Sequence, residues 1–374
     1  MSNYIISCGG TGGHLSPGIA LAEGLAARGH VATLLISHKR VDARLIEKYP
    51  HLRFVRIPGS PFTLSPMGFV RCIFSQTKGF FVSLKLIRTL RPVAIIGFGG
   101  FTTAAIIGAG KFCGVPVALH EANRVPGRAI RWLGRLARRV YLPTGVNIAG
   151  LNAKLVRHVG LPVRKEIVRL PREVACEKLG LDSRKKVLAI FGGSQGATVL
   201  NDWARRELSV LAAGGIQLYC VTGPDKGTAE ILHLKSTDGT LVKAVFISFC
   251  DQVTELLSSA DLVVARAGAG SIAEFIRCGT PAILIPYPHA ADNHQCANAV
   301  YFSQQGGGLI VDQAELVGLG CMVIDLLANE ARVQELTVNL QRMDRINPLD
   351  LILDDLASLI TPVTDLTGSK PKVS

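Results

Sequence analysis

Three glycine clusters carry the chain's clearest chemical signal: Gly9-Gly10-Thr11-Gly12-Gly13-His14, Gly97-Phe98-Gly99-Gly100 and Gly192-Gly193-Ser194-Gln195-Gly196. Each follows a short apolar run and precedes a segment of helical period. At such a turn glycine lets backbone N–H groups approach a phosphate, and the helix N-terminus adds about half a positive charge. One such turn can be purely steric, but three in one chain point to phosphate binding. The familiar phosphate loops fit poorly. A Walker loop ends in Gly-Lys-Ser/Thr, and none of the three clusters holds a lysine. A dinucleotide fingerprint needs a third glycine where Leu15 stands and an acid after the second strand, where the chain reads Ser37-His38-Lys39-Arg40. No Asp-x-Asp pair is available to hold a metal on a sugar-nucleotide diphosphate. A leaving diphosphate would then rely on the third glycine turn and on Arg266. His14 is the candidate proton acceptor or acceptor-orienting group, because imidazole titrates near neutral pH; the alternative is a helix cap or a phosphate ligand.

The elements that must position these groups follow from alternation. Short apolar runs at 4–7, 32–36, 53–56, 93–97, 117–119 and 139–142 are separated by helix-period stretches such as 17–28 and 74–90. The pattern restarts with strands at 186–191, 217–221, 241–246, 262–265, 282–285 and 308–311. Strands alternating with helices give an α/β fold with a parallel sheet, here two doubly wound units in series. The break is expected at Gly160-Leu161-Pro162-Val163, which divides a first domain, 1–162, from a second, 163–347. A helix at about 348–361 is expected to pack back on the first domain, and 362–374 reads as a flexible tail.

Composition narrows the class. The chain has 374 residues, 48% hydrophobic and 18% charged, with a net charge of +13. That excludes a disordered or collagen-like protein and suits two domain cores. The charge is unevenly spread. Residues 1–172 hold 25 Lys and Arg against 5 Asp and Glu, whereas 173–374 hold 16 against 23. A basic half beside a mildly acidic one points to a polyanionic partner for the first half, nucleic acid or an anionic membrane. The low aromatic content, 6%, argues against nucleic acid. Nine cysteines without a Cys-x-x-Cys pair read as reduced thiols in a cytosolic protein. The uncharged stretch 93–110 is broken by five glycines and is not expected to span a membrane.

Seven motifs in order make a specific resemblance. To the three glycine clusters, the first extended to Pro17 and the third to Ala197 and Asn201, are added His120-Glu121-Ala122-Asn123, Gly160-x-Pro162-Val163-Arg164, Arg266-Ala267-Gly268-Ala269 with Glu274, and Asp292-x-x-Gln295-x-x-Asn298-Ala299. Together they resemble the MurG family of peptidoglycan N-acetylglucosaminyltransferases over about residues 4–313. The resemblance implies a GT-B glycosyltransferase, two Rossmann-like domains facing across a cleft. It implies inverting transfer of N-acetylglucosamine from UDP-N-acetylglucosamine to the C4 hydroxyl of the muramoyl sugar of undecaprenyl-pyrophosphoryl-MurNAc-pentapeptide, turning lipid I into lipid II without metal or cofactor. Alternatives are a GT-B enzyme with another lipid acceptor, or a UDP-N-acetylglucosamine epimerase.

The resemblance assigns His14 and Glu121 to catalysis. Thr11, Gly12, Gly13, Gly99, Gly100 and Asn123 go to the acceptor. Ser194, Gln195 and Gly196 go to the diphosphate, the backbone of Ile247 to uracil, Glu274 to the ribose, Gln295 to the sugar hydroxyls, and Arg266 to the donor. Arg164, at the hinge, could meet either ligand, as could Thr11, Gly12, Gly13 and Asn123. The chain departs from the family pattern at Phe101, Ala122, Ile130 and His294.

The implied acceptor sits in a membrane, and residues 61–90 supply a docking surface. Phe62, Leu64, Met67, Phe69, Val70, Ile73, Phe74, Phe80, Phe81, Leu84 and Leu86 are interleaved with Arg71, Lys78, Lys85 and Arg88, with Arg124, Arg128, Arg131, Arg135, Arg138 and Arg139 further along. Apolar side chains can enter the acyl boundary while each basic one adds about 1 kcal/mol near an anionic leaflet. The competing reading is a core helix under a loop. The expected location is peripheral, on the cytoplasmic face of the cell's inner membrane, beside other proteins of wall synthesis.

Overall fold

A computed structural model of the chain describes residues 1–9, 12–37, 45–59, 65–193 and 195–360. Thr11, Ser194, Phe62, Leu64 and the 362–374 tail therefore lie outside the described residues, as does the side chain of Phe69. The first unit is a seven-stranded sheet in the order β3-β2-β1-β4-β5-β6-β7, parallel throughout. Its strands are β1 (Asn3–Ser7), β2 (Val31–Ile36), β3 (Arg53–Arg56), β4 (Ala94–Gly97), β5 (Val117–His120), β6 (Arg139–Leu142) and β7 (Val156–His158). Around them lie α1 (Gly12–Ala27), α2 (Pro66–Leu90), α3 (Thr103–Phe112) and α4 (Arg128–Leu133).

The second unit repeats the plan in the order β10-β11-β9-β8-β12-β13-β14, with β10 antiparallel at one edge. Its strands are β8 (Val187–Phe191), β9 (Gln217–Val221), β10 (Glu230–Lys235), β11 (Leu241–Ile247), β12 (Leu262–Ala265), β13 (Ala282–Leu284) and β14 (Gly308–Ile310). Its helices are α5 (Arg172–Leu179), α6 (Thr198–Ala213), α7 (Val253–Ser259), α8 (Ala269–Cys278), α9 (His294–Gln304), α10 (Leu319–Ala328) and α11 (Glu330–Met343), and α12 (Pro348–Ile360) ends the described chain. Strands such as Val187-Leu188-Ala189-Ile190 are wholly buried. A parallel sheet covered on both faces needs continuous apolar runs of this kind, which is why these strands were legible.

Two strands escaped the sequence reading. β7 is only three residues long, and β10, Glu-Ile-Leu-His-Leu-Lys, is an edge strand with alternating exposure and no long apolar run. Helix α2 also starts well before residue 74, because Ser65 Oγ accepts from the Gly68 N–H at 3.2 Å and Pro66 fills the first turn. The uncharged 93–110 stretch resolves into β4, a turn and most of α3, and no described helix is long and apolar enough to cross a membrane.

Helix α12 lies on α1 of the first unit, with Ile352, Leu353 and Leu356 in the core beside Leu21 and Leu25. A polar knot fixes it. Asp355 accepts from Arg139 Nε at 3.1 Å, Arg157 Nε at 3.2 Å and the Tyr141 hydroxyl at 2.9 Å, with its side chain 17% exposed. Asp355→Ala leaves two cations and a buried phenol without their acceptor, a loss on the order of 3 kcal/mol. A thermal midpoint lowered by several degrees is expected, and an unchanged one would show that apolar packing alone anchors the helix.

The two chain crossings between the units meet at Gly160. The His120 Nε2–H donates to its carbonyl at 3.1 Å, and a Cβ on Gly160 would lie 2.7 Å from Pro348 Cγ at the start of α12. Complete burial pulls the His120 pKa down to about 4. The folded chain therefore binds this proton less readily than the unfolded one. The stabilisation is complete above about pH 6.5 and fades at about 1.4 kcal/mol per pH unit as pH falls toward 4. Unfolding free energies of wild type and His120→Gln should differ in slope over that window; parallel curves would sink the assignment.

Candidate active site

Both sheets reverse strand order at one place, between β1 and β4 in the first unit and between β8 and β12 in the second. Ligands of doubly wound sheets bind at the carboxyl ends of the strands flanking such a switch point. All three glycine clusters stand there, after β1, after β4 and after β8, and Arg266-Ala267-Gly268 follows β12. The units face each other so that α1 and α8 are neighbours across the cleft.

On the first side, the His14 ring lies over the second glycine turn. A Cβ on Gly99 would stand 3.4 Å from Nε2, and one on Gly100 3.4 Å from Nδ1. Both glycines have positive φ, +94° and +80°, so no other residue fits this seat without strain. Thr102 Oγ1 donates to the Gly9 carbonyl at 3.2 Å and ties the two turns together. His14 is half-buried, as a side chain that must reach both a support and a substrate would be.

Glu121 sits differently from a free acid. It is 5% exposed, and its carboxylate accepts from the Asn123 N–H (2.8 Å), Asn123 Nδ2 (3.1 Å) and the Gly127 N–H (2.7 Å). Every one of these contacts serves the 121–127 loop and braces Asn123. Asn123 in turn meets the second unit: Asn298 Nδ2 donates to Asn123 Oδ1 and to the Ala267 carbonyl, both at 3.1 Å, and Asn298 Oδ1 accepts from the Arg124 N–H at 2.9 Å. Arg124 stacks on Tyr301, 3.8 Å from the ring centre. Asn298 thus bridges the two units, and its place in the seventh motif was the signal the sequence offered.

On the second side, Gly192, Gly193 and Gly196 form the turn ahead of α6. Gly193 and Gly196 have φ of +79° and +68°, and the Gly196 N–H donates to the Gly193 carbonyl at 2.9 Å. Gln195 projects to solvent. The Ile247 carbonyl already accepts the N–H (2.8 Å) and hydroxyl (3.1 Å) of Thr222. Gln295 Oε1 accepts from the Tyr287 N–H at 3.0 Å.

Arg266, expected at the donor, is anchored by protein partners. Its Nη1 donates to the carbonyls of Ile285 (3.2 Å) and Pro286 (3.3 Å), its Nη2 to Gln313 Oε1 (2.5 Å), and it is 8% exposed. These bonds tie it to the loop after β13 and leave one Nη2 hydrogen and the Nε hydrogen outside them. Glu274 Oε1 accepts from Arg164 Nη2 at 3.1 Å, which brings two of the expected donor residues together. Of the departures, Ile130 is core and His294 Nδ1 meets the Ala291 carbonyl at 2.7 Å; Gln76 Nε2 donates to the Phe101 carbonyl at 2.7 Å. No cluster of His, Cys, Asp and Glu that could hold a metal occurs among the described residues.

Residues 4–142 match the glycosyltransferase family 28 N-terminal domain, and 187–344 the corresponding C-terminal domain. A protein of Opitutus terrae named as a UDP-N-acetylglucosamine–N-acetylmuramyl-(pentapeptide) pyrophosphoryl-undecaprenol N-acetylglucosamine transferase is 55% identical over 96% of this chain and 95% of its own length. A protein of the same name from Prochlorococcus marinus is 36% identical over 85% of each. Among solved structures, the MurG of Acinetobacter baumannii superposes with a TM-score of 0.71 at 22% identity, covering 95% of this chain and 99% of that one.

Proposed function

The chain belongs to glycosyltransferase family 28 and to its lipid I N-acetylglucosaminyltransferases, with the GT-B fold, and from that membership we propose how its own residues do the work. It transfers N-acetylglucosamine from UDP-N-acetylglucosamine to the muramoyl C4 hydroxyl of undecaprenyl-pyrophosphoryl-MurNAc-pentapeptide. The carrying observation is the placement of His14 over Gly99 and Gly100, at the first switch point, on the helix that meets α8 of the second unit.

The attacking hydroxyl loses its proton to His14, within reach of a half-buried imidazole. Glu121 does not touch the reacting atoms; it holds Asn123 at the mouth of the cleft. The glycine turns at 9–13 and 97–100, with Thr11, grip the acceptor pyrophosphate through backbone N–H groups. The leaving UDP is stabilised by the turn at 192–196, with Ser194 and Gln195, and by the α6 N-terminus, a preorganised donor set that costs no reorganisation as charge develops. Uracil lies against the end of β11 at Ile247, the ribose on Glu274, and the sugar near Gln295. With Arg266 committed to the β13 loop, the glycine turn bears most of the leaving-group charge. Radiolabel from UDP-N-acetylglucosamine should enter a short-chain lipid I analogue. Release of UDP and a rearranged sugar without lipid would instead indicate an epimerase.

The first unit docks on the anionic inner face of the cell membrane. Met67, Val70, Ile73, Phe74 and Phe81 on α2 are exposed, whereas Leu84 is core and Phe80 and Leu86 are half-buried. Phe112 and Trp132, 74% and 80% exposed on α3 and α4, extend the apolar face beyond the expected segment. Arg71, Lys78, Lys85, Arg88, Lys111 and Arg135 surround it. Arg124 and Arg131 do not belong to this face, since they engage Tyr301 and Asp292 of the second unit. Phe74→Ser with Phe81→Ser should lower binding to anionic vesicles by roughly tenfold or more. Turnover on a water-soluble acceptor analogue should persist; equal vesicle binding would remove α2 from the contact.

A further inference from the structure

The residue proposed for the ribose is held by the other half of the molecule. Arg164, in the linker, is 8% exposed and donates from Nη2 to Glu274 Oε1 and from Nη1 to the Tyr49 hydroxyl at 3.3 Å. Tyr49, 5% exposed, belongs to the first unit, just after a helical turn at 45–47, and its hydroxyl donates to Glu166 Oε1. Glu166 Oε1 in turn lies 3.3 Å from Arg164 Nη1. Next to Tyr49, Lys48 pairs with Asp251 of the second unit, donates to its carbonyl at 3.2 Å and lies 5.6 Å from the Phe249 ring centre. Phe249 and Asp251 directly follow the end of β11, where the base is proposed to rest.

A buried guanidinium with one acceptor swings about that bond; one held at both ends cannot. The Tyr49 hydroxyl and the Glu166 carboxylate fix one end of Arg164, so its other end presents a fixed N–H to Glu274. That fixes the Glu274 rotamer before ligand arrives. Its second oxygen, Oε2, accepts no hydrogen bond from any described residue and is the one placed to meet a ribose hydroxyl. A glutamate free to rotate loses that freedom on binding, and the loss weakens affinity without touching the chemical step.

We propose that Tyr49 is a positioning residue of the first unit that sets ribose recognition in the second, acting through Arg164 on Glu274, while Lys48 beside it steadies the base-side loop through Asp251 and Phe249. The proposal rests on the ribose assignment of Glu274. It makes nucleotide recognition depend on the contact between units, through a phenol that belongs to the first.

UDP and 2′-deoxy-UDP, as competitive inhibitors, measure ribose recognition directly. In Glu274→Gln the preference for UDP should collapse. In Tyr49→Phe it should fall by about three- to tenfold, with a matching rise in donor KM and kcat within about twofold. Lys48→Met should raise donor KM while leaving the ribose preference near wild type, since it touches the base-side loop only. A Tyr49→Phe protein with wild-type KM and ribose preference, while Glu274→Gln has lost it, overturns the role of Tyr49 alone. If Glu274→Gln keeps the preference, the ribose assignment itself fails. A thermal midpoint for Tyr49→Phe within about 2 °C of wild type separates positioning from general loosening, because a structural defect would lower kcat and stability together.

Discussion

His14→Ala should lower turnover by a factor of roughly 10²–10⁴, with much less effect on the affinity for UDP. The side chain sits on the first unit, over Gly99 and Gly100, so its loss removes a proton acceptor without disturbing the donor turn. Single-turnover transfer to a lipid I analogue isolates the chemical step. A variant that keeps a near-normal rate would remove the base role and leave His14 as a support for the glycine turn.

Gly196→Ala should be the most damaging single change on the donor side. Its φ of +68° is one that alanine rarely adopts, and the new Cβ would stand 2.0 Å from the Thr222 carbonyl oxygen and 2.7 Å from Gly223 Cα. Those are backbone atoms of the adjoining loop, which Asn201 Nδ2 holds by donating to the same Thr222 carbonyl at 2.9 Å. Relief requires the turn to move by an ångström or more, and a misplacement of that size costs about 10²-fold. Gly193→Ala is the control. Its φ of +79° is equally unsuited to alanine, but no atom of the described residues beyond its chain neighbours lies within 4 Å of the added one. Only the left-handed penalty of about 1–2 kcal/mol applies, so a loss of about tenfold is expected. Calorimetric titration with UDP should rank wild type above Gly193→Ala above Gly196→Ala. Equal losses in the two variants would mean that conformational strain, not the close approach, decides the turn.

The site was partly legible because its glycines announce themselves. A residue needed where φ is positive or where two backbones touch has no substitute, so Gly99, Gly100, Gly193 and Gly196 carry their structural meaning in their identity. The roles of the acids and the arginine were harder to read. Glu121 and Arg266 fit the family's order of motifs, and in the structure the first bonds within the 121–127 loop and the second to the carbonyls after β13. A charged side chain in a motif does not reveal whether its partner is a ligand or the neighbouring backbone. Tyr49 left no signal at all, since a tyrosine after a short helix is as common in a core as at a joint.

The sequence by itself determined the two doubly wound units, the glycine turns at the strand ends, the uneven charge and the family. These rest on local patterns: runs of apolar residues, glycines at strand ends, and motifs in a fixed order. Only the tertiary structure decided which side chains cross between the units. The bonds from Asn298 to Asn123, from Arg164 to Glu274 and Tyr49, and from Lys48 to Asp251 join residues far apart in the chain. So does the choice of exposed face on α2, since Leu84 and Phe81 are equally apolar in the sequence and differ only in what packs against them. Local pattern fixes where an element forms and which groups it carries; the partners those groups find depend on how two separately folded sheets are set against each other.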